Sequence, residues 1–279
     1  MKFNNKLVSI IIPCYNDAQY IEQSINSALN QTYPNKEVIV VDDGSNVETK
    51  AMLKKLESQI KKLITQENRG QSTARNVGIN EAKGDYILVL DSDDFLEPTF
   101  SEKAITVFES KNNIKLVSCF VNKFTDDKNK FVYKSTGGVL KEFLLNNQVS
   151  GGCMFLKSDF EKINGYDESM RKGYEDWEFY IRLLQGGGEA FVIQEPLFNY
   201  RLRKDSTTSK ANEIKYDLLK YIYFKHQDLY SANYELFIED LLSRIEREEK
   251  EKIKNTQRIE FKIGSAIFKP LRWIKSLVK

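Results

Sequence analysis

Apolar positions in the first 125 residues alternate between two periods. Short, strongly apolar or β-branched runs stand at 7–12, 37–41 (EVIVV), 62–65 and 86–90 (YILVL), as expected of strands buried on both faces. Between them, Ile21, Ile25, Ala28 and Leu29 recur at helical spacing. Stretches 50–60, 72–82 and 98–110 also read as helices, the last with Pro98 near its start, and 115–121 closes the series as a strand. This rhythm predicts an α/β fold, a mostly parallel sheet flanked by helices.

Beyond residue 125 the pattern loosens. The run DDKNK at 126–130 predicts a turn between two short strands, and glycines cluster at 137–138, 151–152 and 186–188. Residues 191–193 and 197–202 read as further strands. From 212 to 250 the chain turns helical, with Tyr234, Phe237, Ile238, Leu241, Leu242 and Ile245 on one face. The polar link at 204–210 predicts a boundary. A domain over 1–205 (halves 1–125 and 126–205) would then precede a helical C-terminal extension over 206–279.

Composition narrows the chemistry. In 279 residues, 42 Lys and Arg face 40 Asp and Glu, so no global field invites nucleic acid. Three scattered cysteines (Cys14, Cys119, Cys153) suit neither a disulfide scaffold nor a thiolate zinc site, and fit a reducing cytoplasm. A single histidine, His226, leaves no multi-histidine metal centre and disfavours a histidine-based triad. Carboxylates are the remaining candidates for catalysis. The N-terminal apolar run is short and lacks a cleavage pattern, so no signal peptide is expected.

Ligands collect beyond the carboxyl ends of strands in such sheets. Three of these ends are polar: Pro13-Cys14-Tyr15-Asn16, Asp42-Asp43-Gly44-Ser45 and Asp91-Ser92-Asp93-Asp94. Each Asp could simply cap the following helix. Five acids on one edge repel one another, however, and a divalent cation would relieve that cost; Asp-x-Asp offers Mg²⁺ or Mn²⁺ two hard oxygens, with water and phosphates completing the shell. No GxxxxGK[ST] or GxGxxG is present. Between these loops, Arg69 and Arg75 flank a helix start suited to an anion, or serve a solvated helix face. Glu175-Asp176 opens another helix, where acids suit the macrodipole, and Trp177 beside them offers a surface for a sugar ring.

In chain order, SIIIPCYN, EVIVVDDGS, NRGQSTARNVGI, GDYILVLDSDD, SGGCMF with INGYDE, GYEDWEF and NYRLRKDS resemble glycosyltransferase family 2, the inverting nucleotide-sugar enzymes of the GT-A fold. The resemblance implies that Asp42 contacts the nucleobase in a pocket shaped by Pro13 and Tyr15, with Arg75 near the nucleotide. It implies Asp93 as principal ligand of Mn²⁺ or Mg²⁺, with Asp91 reaching ribose or metal. Gly151 and Gly152 would border the acceptor with Trp177, and Asp176, paired with Glu175, would be the general base. Where many members carry His in Tyr-Arg-x-His, this chain has Arg203, which cannot ligate a cation but can neutralise the diphosphate. The implied donor is a nucleoside-diphosphate sugar, UDP-linked by resemblance. The implied acceptor is a glycan or lipid-linked saccharide, as in bacterial surface-polysaccharide synthesis. A non-catalytic nucleotide-sugar or polysaccharide-binding subunit and a sugar nucleotidyltransferase are the alternatives; the retained Asp91, Asp93 and Asp176 count against the first, and the missing glycine-rich N-terminal phosphate loop against the second.

Residues 250–279 hold nine Lys or Arg against two Glu. Ile263, Ile267, Phe268, Leu271, Ile274, Leu277 and Val278 recur near helical spacing, Lys269, Arg272, Lys275 and Lys279 take the complementary face, and Pro270 divides two short helices. With Trp273, the 260–279 segment fits an anionic membrane surface or a protein partner. The expected location is the cytoplasm, with peripheral attachment to the inner face of the cell membrane through that tail.

Overall fold

A computed structural model describes residues 6–125, 130–204, 206–264 and 266–268. The chain divides into two compact units, one ending at Lys225 and one beginning at His226.

The first unit is built on β1 (Val8–Cys14), α1 (Ile21–Leu29), β2 (Lys36–Asp43), α2 (Val47–Leu56), β3 (Lys62–Gln66), α3 (Gln71–Glu81) and β4 (Tyr86–Val89). These strands pair in parallel in the order β3-β2-β1-β4. All seven residues of β1 are buried, as its mostly apolar run predicts, with Ser9 the polar exception. On α1 the buried positions include Ile21, Ile25 and Ala28, the face predicted from spacing. Helix α2 starts earlier than its apolar pattern because the Asn46 side chain accepts a hydrogen bond from Thr49 N at 3.0 Å. Pro13 is tolerated inside β1 for a register reason. Ile11 O accepts from Leu90 N on the β4 side, and β4 pairs no farther than Val89, so the missing N–H of Pro13 faces no ladder partner.

The second half of the sheet comprises β5 (Phe95–Leu96), α4 (Phe100–Ser110), β6 (Ile114–Phe124), β7 (Lys130–Tyr133), α5 (Leu140–Leu145), β8 (Met154–Leu156), α6 (Lys157–Lys162), α7 (Glu175–Gln185) and β9 (Glu189–Arg201). Strand β8 lies antiparallel between β4 and β6, and β6 pairs in parallel with β9. Among the described residues, six strands therefore run one way, with β5, β7 and β8 reversed. The expected mixed, mostly parallel sheet with flanking helices is present. The two strands read at 191–193 and 197–202 are one irregular strand, β9, whose register against β6 slips near Pro196. Its interruption in the apolar pattern is the slip, not a turn. The turn predicted at 126–130 lies, apart from Lys130, outside the described residues.

The first unit also takes in α8 (Thr207–Glu213) and α9 (Lys215–Lys225), so it continues past the polar link where composition places a boundary. Long-range contacts hold these helices. Ala211 is buried beside Gly173, where a Cβ would come within 2.7 Å of the Ala211 methyl. Lys225 pairs with Asp167 and, at 2.8 Å, with the fully buried Glu178, which Arg182 also grips. The second unit contains α10 (Gln227–Ala232) and α11 (Tyr234–Gln257).

At the amino edge of the sheet, Ser9 Oγ donates to Glu37 Oε1 at 2.6 Å while accepting from Gly84 N at 2.9 Å, tying the starts of β1 and β2 to the approach to β4. At the carboxyl edge the polar loops gather. Helix α3 can lie close over that edge because Gly78 faces the sheet: a Cβ there would stand 2.6 Å from Ile11 Cγ2 and 3.1 Å from Val41 Cγ2. Overpacking a fitted core typically costs about 1–3 kcal/mol, so Gly78→Val is expected to lower unfolding free energy by about that amount in urea titrations.

Candidate active site

Strand register brings the polar loops together. Cys14 pairs with Asp42, and β4 lies on the other side of β1, so three loops leave one rim. They are then stitched to each other. Asn16 N donates to Ser45 Oγ at 3.0 Å, Asn46 N to Asn16 Oδ1 at 2.7 Å, and Ser92 Oγ to Asp17 Oδ2 at 2.6 Å. Tyr15 is half exposed above this rim, while Pro13 is buried beneath it.

The five acids have different work. Asp43 is saturated: Oδ1 accepts from Gln66 Nε2 and Arg69 N, and Oδ2 from Gly70 N at 2.8 Å, fixing the turn into α3. Asp94 is buried, receives Arg201 N at 2.7 Å on Oδ1 and leaves Oδ2 unpartnered. Burial, then the neighbouring Asp93 and Asp91, push its carboxyl well above the usual range, while the Arg201 N–H and charge pull it back. Both acids are structural. Asp42 is buried and accepts Ser45 N at 2.9 Å through Oδ1, leaving Oδ2 without a hydrogen bond among the described residues.

Asp91 and Asp93 are the partly exposed members. Asp91 Oδ1 accepts from Arg75 Nη2 at 2.8 Å and Gln71 Nε2 at 3.1 Å, and Asp93 Oδ2 accepts from Arg203 Nη1 at 2.7 Å. The other oxygens, Asp91 Oδ2 and Asp93 Oδ1, carry no hydrogen bond among the described residues. Gly151 borders the first: a Cβ there would lie 3.6 Å from Asp91 Oδ2. Burial and the charges of Asp91 and Asp17 raise the Asp93 carboxyl, while Arg203 opposes the rise. An added cation would therefore be welcome beside it. Among the described residues no group of three or more His, Cys, Asp or Glu side chains forms a cage. Two hard carboxylate oxygens still suit a Mg²⁺ or Mn²⁺ ion that keeps waters and phosphate oxygens as its remaining ligands.

Arg75 joins this rim to the second acidic pair. Its guanidinium is buried, with Nη2 on Asp91 and Nη1 on Glu175 Oε1 at 2.7 Å, and it stacks over Tyr166 with its centre 5.3 Å from the ring centroid. Burial opposes its charge, but Asp91 and Glu175 outweigh burial and hold the guanidinium firmly protonated. Both of its outer nitrogens are engaged by carboxylates, so it acts on the rim through Asp91. Glu175 is likewise buried and committed to Arg75.

Asp176 remains partly exposed beside them. The preceding Gly173 (φ 112°) and Tyr174 (φ 62°) are left-handed, which turns the first residues of α7 toward the rim. Asp176 accepts Trp177 N at 2.7 Å and Asn147 Nδ2 at 3.1 Å. Burial first, then the Glu175 charge, raise its carboxyl to about 6, against the lowering pull of Arg75. Through Arg75, which bridges Asp91 and Glu175, the two acidic centres stand next to each other.

Trp177 departs from expectation. It is buried and donates Nε1–H to Phe143 O at 2.6 Å, holding α5 to α7 instead of offering a face to a sugar. Gly152 is also a packing position, since a Cβ would meet the Phe198 ring at 2.6 Å. Sequence reading passed over Asp17, Gln71 and Asn147, polar residues within or next to quoted motifs whose roles depend on partners far along the chain. The cysteines are buried, with Cys14 and Cys153 thiols pushed up to about 12 by burial, so none is a ready nucleophile.

An α/β sheet with an acidic carboxyl edge facing a helix-borne carboxylate is the arrangement of a GT-A type transferase. The Glycosyl transferase family 2 model matches residues 9–163, more than half the chain, and a model described as the N-terminal domain of galactosyltransferase matches 143–210. An uncharacterized glycosyltransferase of Haemophilus influenzae is 31% identical over 236 residues, covering 78% of this chain and 72% of its own. TuaG of Bacillus subtilis, described as a putative teichuronic acid biosynthesis glycosyltransferase, is 28% identical over 228 residues, covering 80% of this chain and 88% of its own. The crystal structure of S. aureus TarS 1-349 in complex with UDP-GlcNAc superposes with a TM-score of 0.64 at 21% identity, over 78% of this chain and 65% of that one. The chain belongs to glycosyltransferase family 2 and is a glycosyltransferase.

Removing one partner from a buried ion pair typically costs about 3–5 kcal/mol, because the other charge is left uncompensated. Arg75→Met is therefore expected to destabilise the protein by about that much in chemical denaturation, far more than Arg69→Met at its exposed pair with Glu168.

Proposed function

We propose that this enzyme transfers a sugar from a nucleoside-diphosphate donor, UDP-linked, to a saccharide hydroxyl, with inversion and with Asp176 as general base. The observation that carries the reading is the single ion-pair relay Asp91–Arg75–Glu175, which sets the partly exposed Asp176 beside the acidic rim. TarS, the fold neighbour, has been crystallised with UDP and with UDP-GlcNAc, and that supports a nucleotide sugar as donor.

The nucleobase lies against Asp42 Oδ2, between Pro13 and Tyr15. The diphosphate lies over Asp91 and Asp93, with Arg203 within reach. Mn²⁺ or Mg²⁺ held by Asp93 and Asp91 would supply charge stabilisation for the leaving diphosphate. Gly151 leaves room next to Asp91 for the transferred sugar and the incoming acceptor. The acceptor hydroxyl gives its proton to an Asp176 oxygen as its own oxygen attacks the anomeric carbon. The bond to the phosphate oxygen breaks on the opposite side, carrying its electron pair onto the diphosphate, and one such displacement inverts the anomeric centre.

A carboxylate near 6 is a stronger base than an ordinary Asp yet still ionised at neutral pH. The sign follows directly: below about 6 the carboxyl is protonated and cannot accept the hydroxyl proton. Log kcat/KM for transfer from UDP-sugars is expected to rise with a slope of about one up to that region and then level off. Asp176→Asn should keep donor affinity within about twofold but lose transfer by about a hundredfold or more, read by isothermal titration and by UDP release. Wild-type turnover in that variant would remove the base assignment.

The C-terminal segment supports a second element of the proposal, peripheral attachment to an anionic membrane. Ile259, Phe261, Ile263, Ile267 and Phe268 are exposed on helical backbone, and the basic residues of the segment suit anionic headgroups. No helix among the described residues is long and apolar enough to cross a membrane. The full chain is expected to float with phosphatidylglycerol vesicles but not with neutral ones. A chain ending at residue 259 should not float, and equal flotation of the two chains would count against membrane contact.

A further inference from the structure

The position facing Asp93 is already taken by a cation belonging to the protein. Arg203 Nη1 lies 2.7 Å from Asp93 Oδ2 and 2.7 Å from Asp17 Oδ1, so one guanidinium nitrogen neutralises carboxylates from two loops. The two anchors are unequal. Asp17 is buried and its second oxygen is fixed by Ser92 Oγ at 2.6 Å, whereas Asp93 is partly exposed with its second oxygen open. The guanidinium also lies over the Tyr20 ring, 5.2 Å from its centroid, and stays partly solvent-accessible. Its neighbour Arg201 is locked differently, through Asp93 O at 3.0 Å and Gln23 Oε1 at 2.7 Å, so Arg203 can shift without unfastening the end of β9.

We infer that Arg203 and Asp17 form a gate that makes divalent-ion binding depend on the nucleotide. The inference rests on the donor and ion reading proposed above. Without a nucleotide, Arg203 is the counter-cation of Asp93, and an ion approaching that carboxylate meets a guanidinium sharing the same charge. A diphosphate entering the rim offers Arg203 stronger, bidentate partners. The guanidinium turns from Asp93 to the phosphate oxygens while Nη1 keeps its bond to Asp17, and Asp93 is released to the ion. Arg203 and Asp17 are positioning residues in this scheme.

Mn²⁺ titration of the full chain, followed by loss of the free-ion electron paramagnetic resonance signal, tests the gate with and without saturating UDP. Mn²⁺ held by UDP alone is measured separately and subtracted. In the wild type, UDP is expected to tighten Mn²⁺ binding by about tenfold or more. In Arg203→Ala, Mn²⁺ without UDP should bind about tenfold more tightly than in the wild type, and the gain on adding UDP should shrink. Phosphate ligands alone would raise affinity equally in both proteins, so the shrinkage is the signature of the gate. Arg203→Gln gives a second, near-isosteric variant should the first unfold. Unchanged nucleotide-free Mn²⁺ affinity in a folded variant overturns the gate. Normal UDP binding in EDTA with no Mn²⁺ uptake under any condition overturns it through the ion reading, and failure of UDP itself to bind overturns it through the donor reading.

Discussion

The guanidinium of Arg75 is the interaction on which the active centre depends. It is buried and fully charged, and it is tolerable there only because Asp91 comes to it from the strand rim and Glu175 from the start of α7. The sheet edge and α7 belong to distant parts of the chain; this relay joins them at the site, while Phe179 packed on Phe155 of β8 and the Asn76 bonds to Tyr166 and Glu168 hold α7 and its lead-in against the fold. Asp176 inherits its place from the pair beside it. Its raised carboxyl is a consequence of the same burial that makes Arg75 need two partners.

The acidic rim shows how a fold can concentrate negative charge without becoming unstable. Asp43 is held by three donors, Asp94 by the Arg201 backbone N–H, Asp91 by Arg75, and Asp93 with Asp17 by Arg203. What is left for ligands is one oxygen each on Asp42, Asp91 and Asp93. A rim with so few uncommitted oxygens suits a substrate that brings its own anionic ligands. This distribution of charge is set by these particular residues, above all by Arg203 between Asp17 and Asp93.

Much of the first half was legible from pattern alone. Strands at the runs ending near 12, 41 and 90 needed no tertiary information, since a strand covered on both faces has few alternatives to an unbroken apolar run. Strand β8 was not legible, because its three residues follow two glycines and pair antiparallel between strands that are neighbours only in space. The end of the first unit was also hidden: the link at 204–210 is polar, yet the helices after it are held by Gly173, Asp167 and Glu178, far earlier in the chain. Trp177 shows the converse error. Its adjacency to an acid suggested a sugar platform, but an indole N–H facing Phe143 O had already found its partner inside.

Sequence by itself determined that acids would crowd the carboxyl ends of several parallel strands and that a Glu-Asp pair would open a later helix. These are statements about order and residue type, which local periodicity and motif spacing carry. Only the tertiary structure decided which acids are consumed and which remain open, because each carboxylate's fate is set by donors that lie distant in sequence and adjacent in space. Arg75 and Arg203 look alike in the sequence. One is walled in between two buried partners and the other rests between a fixed carboxylate and an open one, and that difference in burial separates a strut from a movable charge.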